Sequence, residues 1–250
     1  MRRRGARGHG IHPPFVYRLN KDVLNCRKKY PEYNEIREFR NILLKNRERI
    51  KVDDHGAGSD IFSSDNRRVR DIVKYSSSSY RMGRLLFRLA NHLQPETVLE
   101  LGTSVGFGTF CLAKGAVGGK VYGLEGCGAQ IGTALKGLGN AGIGNVDLIQ
   151  GNFRDSLQEL LDRIDKVDLV YFDGDHRKEA VLWQFGRCLE KVVPGTVFVA
   201  GDIHWSDGMQ EAWDIICRHP AVTLSVDLFH CGLLFFRKGL SKQHFILGFK

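Results

Sequence analysis

The chain has 250 residues, 42% hydrophobic and 26% charged, a composition that excludes wholesale disorder and suffices for one domain with a sizeable core. Its longest uncharged stretch, residues 101–113, contains three glycines and is too short for a membrane-spanning helix, so no membrane partner is expected. The formal net charge of +9 is unevenly placed: residues 1–50 hold 14 Lys and Arg against 5 Asp and Glu, whereas residues 51–250 hold 23 of each.

Residues 1–14 read as a flexible basic arm. Gly8, Gly10, Pro13 and Pro14 interrupt any amphipathic targeting helix, and no apolar signal core follows the arginines. Residues 15–94 read as a helical extension. Tyr33, Ile36, Phe39, Leu43 and Ile50 predict an amphipathic helix over 33–50, followed by a loop over 51–65. A second helix is predicted over 66–75. A third follows Ser76–Ser79, with Met82, Leu85, Leu86, Leu89 and Leu93 on one face and Pro95 as its stop.

From residue 95 to 250 short apolar runs alternate with helical stretches. The runs 97–101, 120–124, 145–149, 167–172 and 196–200 read as strands covered on both faces. Helices are predicted near 106–114, 128–138, 154–164 and 176–191, the last stopped by Pro194-Gly195. This repeat predicts an α/β fold with a doubly wound parallel sheet. After a helix near 207–218, the runs 221–229 and 231–237 have almost nothing between them, so they must pair antiparallel.

The first strand of the sheet ends in Glu100-Leu101-Gly102-Thr103-Ser104-Val105-Gly106, with Gly108 two residues on. Glycine permits a sharp turn and a close backbone approach to a ligand. Ser104 breaks the dinucleotide pattern G-x-G-x-x-G, while E-x-G-x-x-x-G holds. With the antiparallel terminal hairpin, this motif resembles class I S-adenosylmethionine-dependent methyltransferases, whose Rossmann-like sheet has seven strands. The resemblance covers roughly residues 76–237. It implies cofactor contacts from Glu100, Gly102, Thr103, Ser104 and Gly106, from Glu125 to the ribose hydroxyls, from Asn152 and Phe153 to adenine, and from Asp173.

The fourth strand runs into Asp173-Gly174-Asp175-His176, and the fifth into Gly201-Asp202-Ile203-His204-Trp205. Both clusters fall at carboxyl ends of strands, where open α/β sheets place their ligands. The pattern is similar to O-methyltransferases of the catechol, caffeoyl-CoA and sugar-modifying types. It implies Asp173 and Asp202 as ligands of a divalent metal such as Mg²⁺, with His176 as general base, since imidazole titrates near neutrality. Asp173 can instead orient cofactor or substrate, with His176 or His204 as a metal-free base. Ile203 and Gly201 stand where relatives carry further metal ligands. Asp175 is also placed to cap a helix, and His204 and Trp205 to pack under a loop. Ser76–Ser79, Tyr80 and the loop Asp54–Ser59 are lid candidates.

The implied activity is O-methylation of a small-molecule hydroxyl. Two readings stand beside it: an RNA or protein methyltransferase whose basic arm grips a polyanion, and a non-catalytic cofactor-binding protein of the same fold. Against the first stands the absence of an Asn/Asp-Pro-Pro-aromatic motif after the fourth strand. Homodimerisation is common in the fold. The six scattered cysteines form no C-x-x-C and point to a reducing, cytoplasmic setting.

Overall fold

A computed structural model describes residues 14–53, 64–237 and 241–250. Residues 1–13 of the predicted arm and the lid candidate 54–59 lie outside the described residues.

The extension opens with α1 (Pro14–Leu19), a π-helical turn (Asn20–Leu24) and α2 (Glu32–Lys45). The predicted helix over 33–50 stops early: Asn46 turns into extended backbone, and its side chain accepts a hydrogen bond from the Glu48 amide. Two three-residue strands, β1 (Arg49–Lys51) and β2 (Asn66–Arg68), then pair antiparallel where helix and loop were expected. α3 (Val69–Tyr75) and α4 (Tyr80–Leu93) complete the extension. Ser79 caps α4 by accepting from the Met82 amide at 3.2 Å.

The sheet strands are β3 (Thr97–Leu101), β4 (Lys120–Glu125), β5 (Val146–Gln150), β6 (Val167–Phe172), β7 (Val192–Gly201), β8 (Leu224–Asp227), β9 (Cys231–Phe235) and β10 (Gln243–Ile246). Their helices are α5 (Phe107–Gly115), α6 (Gly128–Asn140), α7 (Phe153–Arg163), α8 (Lys178–Leu189) and α9 (Asp207–Arg218). The order is β10-β8-β9-β7-β6-β3-β4-β5, with β9 antiparallel to both β7 and β8. The expected five parallel strands and antiparallel hairpin are present, and β10 adds an eighth strand parallel to β8.

β7 begins four residues before the predicted strand and runs through Pro194-Gly195. Its pairing with β6 slips between Val167 and Leu169, and Thr196 bridges the irregularity by donating to the Val167 carbonyl at 2.6 Å. A bulge is where a strand tolerates proline.

Side-chain alternation along the strands sorts the core into two layers. Val98, Leu169, Tyr171, Val197 and Val199 face α4, α5 and the extension; Leu99, Leu101, Val170, Phe172 and Phe198 face α7, α8 and α9. After β10 the chain returns to the extension. Leu247 and Phe249 are buried, Asn25 donates to the Gly248 carbonyl at 2.9 Å, and Arg88 donates to the Lys250 carbonyl at 2.6 Å. Extension and sheet therefore share one hydrophobic layer.

Candidate active site

The strand order reverses between β3 and β6, and the turns at this carboxyl edge carry the candidate residues. Of the four non-glycine residues with positive φ among the described residues, Ser104 (49°), Asp202 (50°) and Phe229 (75°) lie along it. Backbone strain of this kind gathers at functional sites. The fourth, Gln94, is the left-handed cap of α4.

On the β3–β5 side, Gly102 turns at φ 100°, and a Cβ there would lie 2.6 Å from the Asp173 carbonyl oxygen. Gly106, at φ 88°, lets the start of α5 pack on Ala134. Glu125 closes β4, its carboxylate accepting from the Ser104 amide at 2.8 Å and the Cys127 amide at 3.0 Å. Asn152 caps α7, accepting from the Arg154 and Asp155 amides, and its own amide donates to Asp155. The Phe153 ring lies over Gly174, where a Cβ would approach it to 2.4 Å.

Glu100 is 1% exposed beneath this turn and accepts from Thr109 at 2.5 Å and Thr103 at 3.5 Å. Burial pushes its carboxyl up to about 8; the threonine hydrogen bonds oppose that rise and the Glu125 charge adds to it.

On the β6–β9 side, Asp173, His176 and Asp202 converge, with one ligand atom from each lying within 4.8 Å of the others. His176 Nε2 is 3.7 Å from Asp202 Oδ2. Ser78, from the predicted lid, donates to Asp173 at 3.3 Å and shares a 2.8 Å hydrogen bond with the buried Tyr171 hydroxyl. Burial raises the Asp173 carboxyl well above its ordinary range, and the charges of Asp202 and Glu100 raise it further; Tyr171 and Ser78 pull it down. Neither Glu100 nor Asp173 forms an ion pair among the described residues.

Asp175 accepts from the Arg177 amide and pairs with its guanidinium, while α8 begins only at Lys178. His204 is outside the three-residue cluster. Its Nε2 lies 2.8 Å from Asp227 and its Nδ1 meets Gln210, so both ring nitrogens have protein partners. Sequence reasoning missed Asp227, Tyr171 and Phe229. The polar Asp227 and the aromatic-His pair Phe229-His230, set between two apolar strand runs, were the available signal. A cleft of about 490 Å³ opens beside His176, bordered by Trp205, which is 65% exposed, and by Ser206 and Glu211.

Residues 99–203, which span β3 to the turn after β7, match the family model described as "Methyltransferase domain". Over this stretch the chain is similar to methyltransferase domains. A search of curated proteins found no match. Among solved structures, the chain resembles the O-methyltransferase from Bacillus cereus in complex with SAH, with 18% identity, TM-score 0.59, and coverage of 88% of this chain and 94% of that one. It resembles O-methyltransferase TomG from Streptomyces achromogenes, in complex with SAM, with 19% identity, TM-score 0.59 and coverage of 89% and 95%. SAH-bound methyltransferase PaMTH1 from Podospora anserina aligns at 14% identity and TM-score 0.58, over 86% and 100% of the two chains. At these identities the likeness is one of fold, which this chain shares with those three proteins. Among the described residues, no helix is long and apolar enough to cross a membrane.

Proposed function

We propose that the protein transfers a methyl group from S-adenosylmethionine to a hydroxyl of a small-molecule acceptor, with His176 taking the hydroxyl proton. The observation that carries this is the convergence of Asp173, His176 and Asp202 beside the glycine turn of the methyltransferase domain. The O-methyltransferases from Bacillus cereus and Streptomyces achromogenes, in complex with SAH and SAM, support the cofactor.

The cleft fits a cationic cofactor. Glu100 is an acid without an ion-pair partner among the described residues, and burial and the Glu125 charge hold its carboxyl above its ordinary range. A sulfonium and an ammonium group supply the missing positive charge. When bound, S-adenosylmethionine offers a methyl group on that sulfonium to an attacking oxygen. Gly102, Thr103, Ser104 and Gly106 shape the turn around the ligand, and Glu125, at the end of β4, faces the ribose hydroxyls. Asn152 and Phe153 border the adenine, the amide reaching it once it leaves Asp155.

Ser78 and Tyr171 hold Asp173 in place, and Asp202 faces His176 from the other side, so the imidazole is oriented toward an acceptor in the adjoining cleft. General-base assistance of this type contributes roughly 10²–10⁴ in rate. The same two carboxylates and imidazole also fit a divalent cation, which Asp173, His176 and Asp202 would hold and which would lower the acceptor hydroxyl pKa. His204, paired with Asp227, is the second histidine available to the acceptor side.

The test is methyl transfer from labelled S-adenosylmethionine to a panel of hydroxylated acceptors, run with Mg²⁺ and with chelator. Cofactor-dependent product with at least one acceptor is expected. Failure to bind S-adenosylmethionine at millimolar concentration would refute both the activity and the cofactor assignment. Full activity in chelator would exclude a metal from proton removal, and its loss in His176→Ala but not in His204→Ala would assign that step to His176.

A further inference from the structure

On the extension, away from the sheet edge, a concave pocket of about 310 Å³ lies between the segment 26–30, α2 and α4. Its walls carry five cationic side chains, Arg27, Lys28, Lys29, Arg37 and Arg84, and no carboxylate. Among the described residues none of the five forms an ion pair. The acids nearest in sequence do not supply one: Glu35 pairs with Lys114, and Glu32 and Glu38 line no part of the pocket.

Three of the five are instead arrayed on tyrosines. The Arg84 guanidinium lies 4.4 Å from the Tyr33 ring centroid and 5.8 Å from that of Tyr80. Arg37 lies 5.3 Å from the Tyr80 centroid and donates to its hydroxyl at 3.4 Å, while Lys28 sits 4.6 Å from the Tyr30 ring. A hydrogen bond from the Tyr80 hydroxyl to the Tyr33 carbonyl, 3.0 Å long, ties α4 to α2 and sets the spacing of the two guanidinium groups. Arg84 Nε is buried without a hydrogen-bond partner. Buried donors of this kind are normally satisfied.

Helix polarity acts in the same direction. Tyr33 and Asn34 belong to the first turn of α2 and Tyr80 to the first turn of α4, each helix being 14 residues long, so two positive helix ends border the pocket. Cations held together without counter-ions repel one another, and a multiply charged anion relieves that repulsion while accepting the fork-shaped guanidinium donors.

We propose that this pocket binds the phosphate or pyrophosphate group of a small molecule. Its concave shape and size suit one phosphorylated ligand, whereas a nucleic-acid surface tracks along an extended strand. The site holds whether or not the sheet edge transfers a methyl group.

Calorimetric titration of the full chain with inorganic pyrophosphate tests the site. One saturable site per chain is expected, weakened roughly tenfold or more by Arg37→Ala/Arg84→Ala. Lys136→Ala/Lys191→Ala, which removes two cations outside the pocket, should leave the affinity unchanged. Cys26 lines the pocket and is partly exposed, so saturating pyrophosphate should also slow its alkylation and spare Cys217, the other partly exposed cysteine. That labelling uses the unaltered protein and decides the matter even where the double variant fails to fold. No saturable binding, no protection of Cys26, or equal weakening by the Lys136/Lys191 variant would each overturn the proposal. So would tight binding of single-stranded RNA without binding of pyrophosphate, which would make the patch a nucleic-acid surface.

Discussion

The two sides of the sheet's carboxyl edge are held together over very different lengths of chain. Around the glycine turn, Glu100 is gripped by Thr103 and Thr109, three and nine residues away, and Asn152 caps the helix that follows it immediately. Glu125 reaches 21 residues to the Ser104 amide, one strand across. Around Asp173 the partners come from afar: Ser78 is 95 residues distant, and Asp227 lies 23 residues beyond His204. Turn chemistry therefore builds the proposed cofactor side, and only the completed tertiary fold builds the proposed acceptor side. The helical extension enters the second through Ser78, so on the proposed assignment changes in the extension should affect turnover more than cofactor affinity.

His176→Ala should separate the two sides most strongly. Turnover should fall by roughly 10²–10⁴, while the Kd for S-adenosylmethionine, measured by calorimetry, should stay within about twofold. A parallel loss of cofactor affinity would show that His176 belongs to both sides. Gly102→Ala attacks the other side. It forces a Cβ onto a residue at φ 100° and to within 2.6 Å of the Asp173 carbonyl oxygen. A loss on the order of 3 kcal/mol in urea unfolding is expected, with cofactor binding impaired in whatever remains folded. Wild-type stability would mean that the turn can open away from β6 without penalty.

The same contrast explains what was legible in the sequence. β3, β4 and β6 announce themselves as apolar runs, and Gly102, Gly106 and Glu125 stand at the ends that such runs imply. β1 and β2 read Arg-Ile-Lys and Asn-Arg-Arg, charged triplets that form strands only because each has the other to pair with. β10 is four residues long with alternate burial, too short to be distinguished from loop until β8 offers its edge. Pro194-Gly195 signals a break, and the chain resolves it by a bulge within β7. Asp173, His176 and Asp202 could be read as strand-end residues, but the Ser78 and Asp227 contacts depend on topology that no local pattern encodes.

A smaller and more graded effect comes from Glu100. Its folded-state pKa of about 8 exceeds its ordinary 4.5, so its contribution to stability is fully present below 4.5 and is lost as pH rises through about 8. Glu100→Gln should therefore raise Tm near pH 8 and change it little near pH 4. Below pH 8, binding a cationic cofactor must expel the Glu100 proton, so affinity should rise with pH by up to about tenfold per unit and level off above 8. Proton release measured in buffers of different ionisation enthalpy would check this, and a pH-independent Kd would remove Glu100 from the cofactor side.

Ser78→Ala gives the smallest change and the finest test of the division. The hydroxyl bridges Tyr171 and Asp173, and its loss should cost about 1 kcal/mol of stability. Its hydrogen bond lowers the Asp173 carboxyl, so removing it leaves burial and the Asp202 charge less opposed and pushes that carboxyl higher still. The acid limb of the turnover profile should then move to higher pH, with turnover at neutral pH reduced several-fold and Ser78→Thr restoring most of it. Cofactor affinity should stay unchanged, because among the described residues Ser78 makes its side-chain hydrogen bonds to Tyr171 and Asp173 and not to the glycine turn. If Ser78→Ala weakened S-adenosylmethionine binding as much as turnover, the extension would govern both sides of the edge, and Asp173 would have to be counted with Glu100 as part of the cofactor's acid lining.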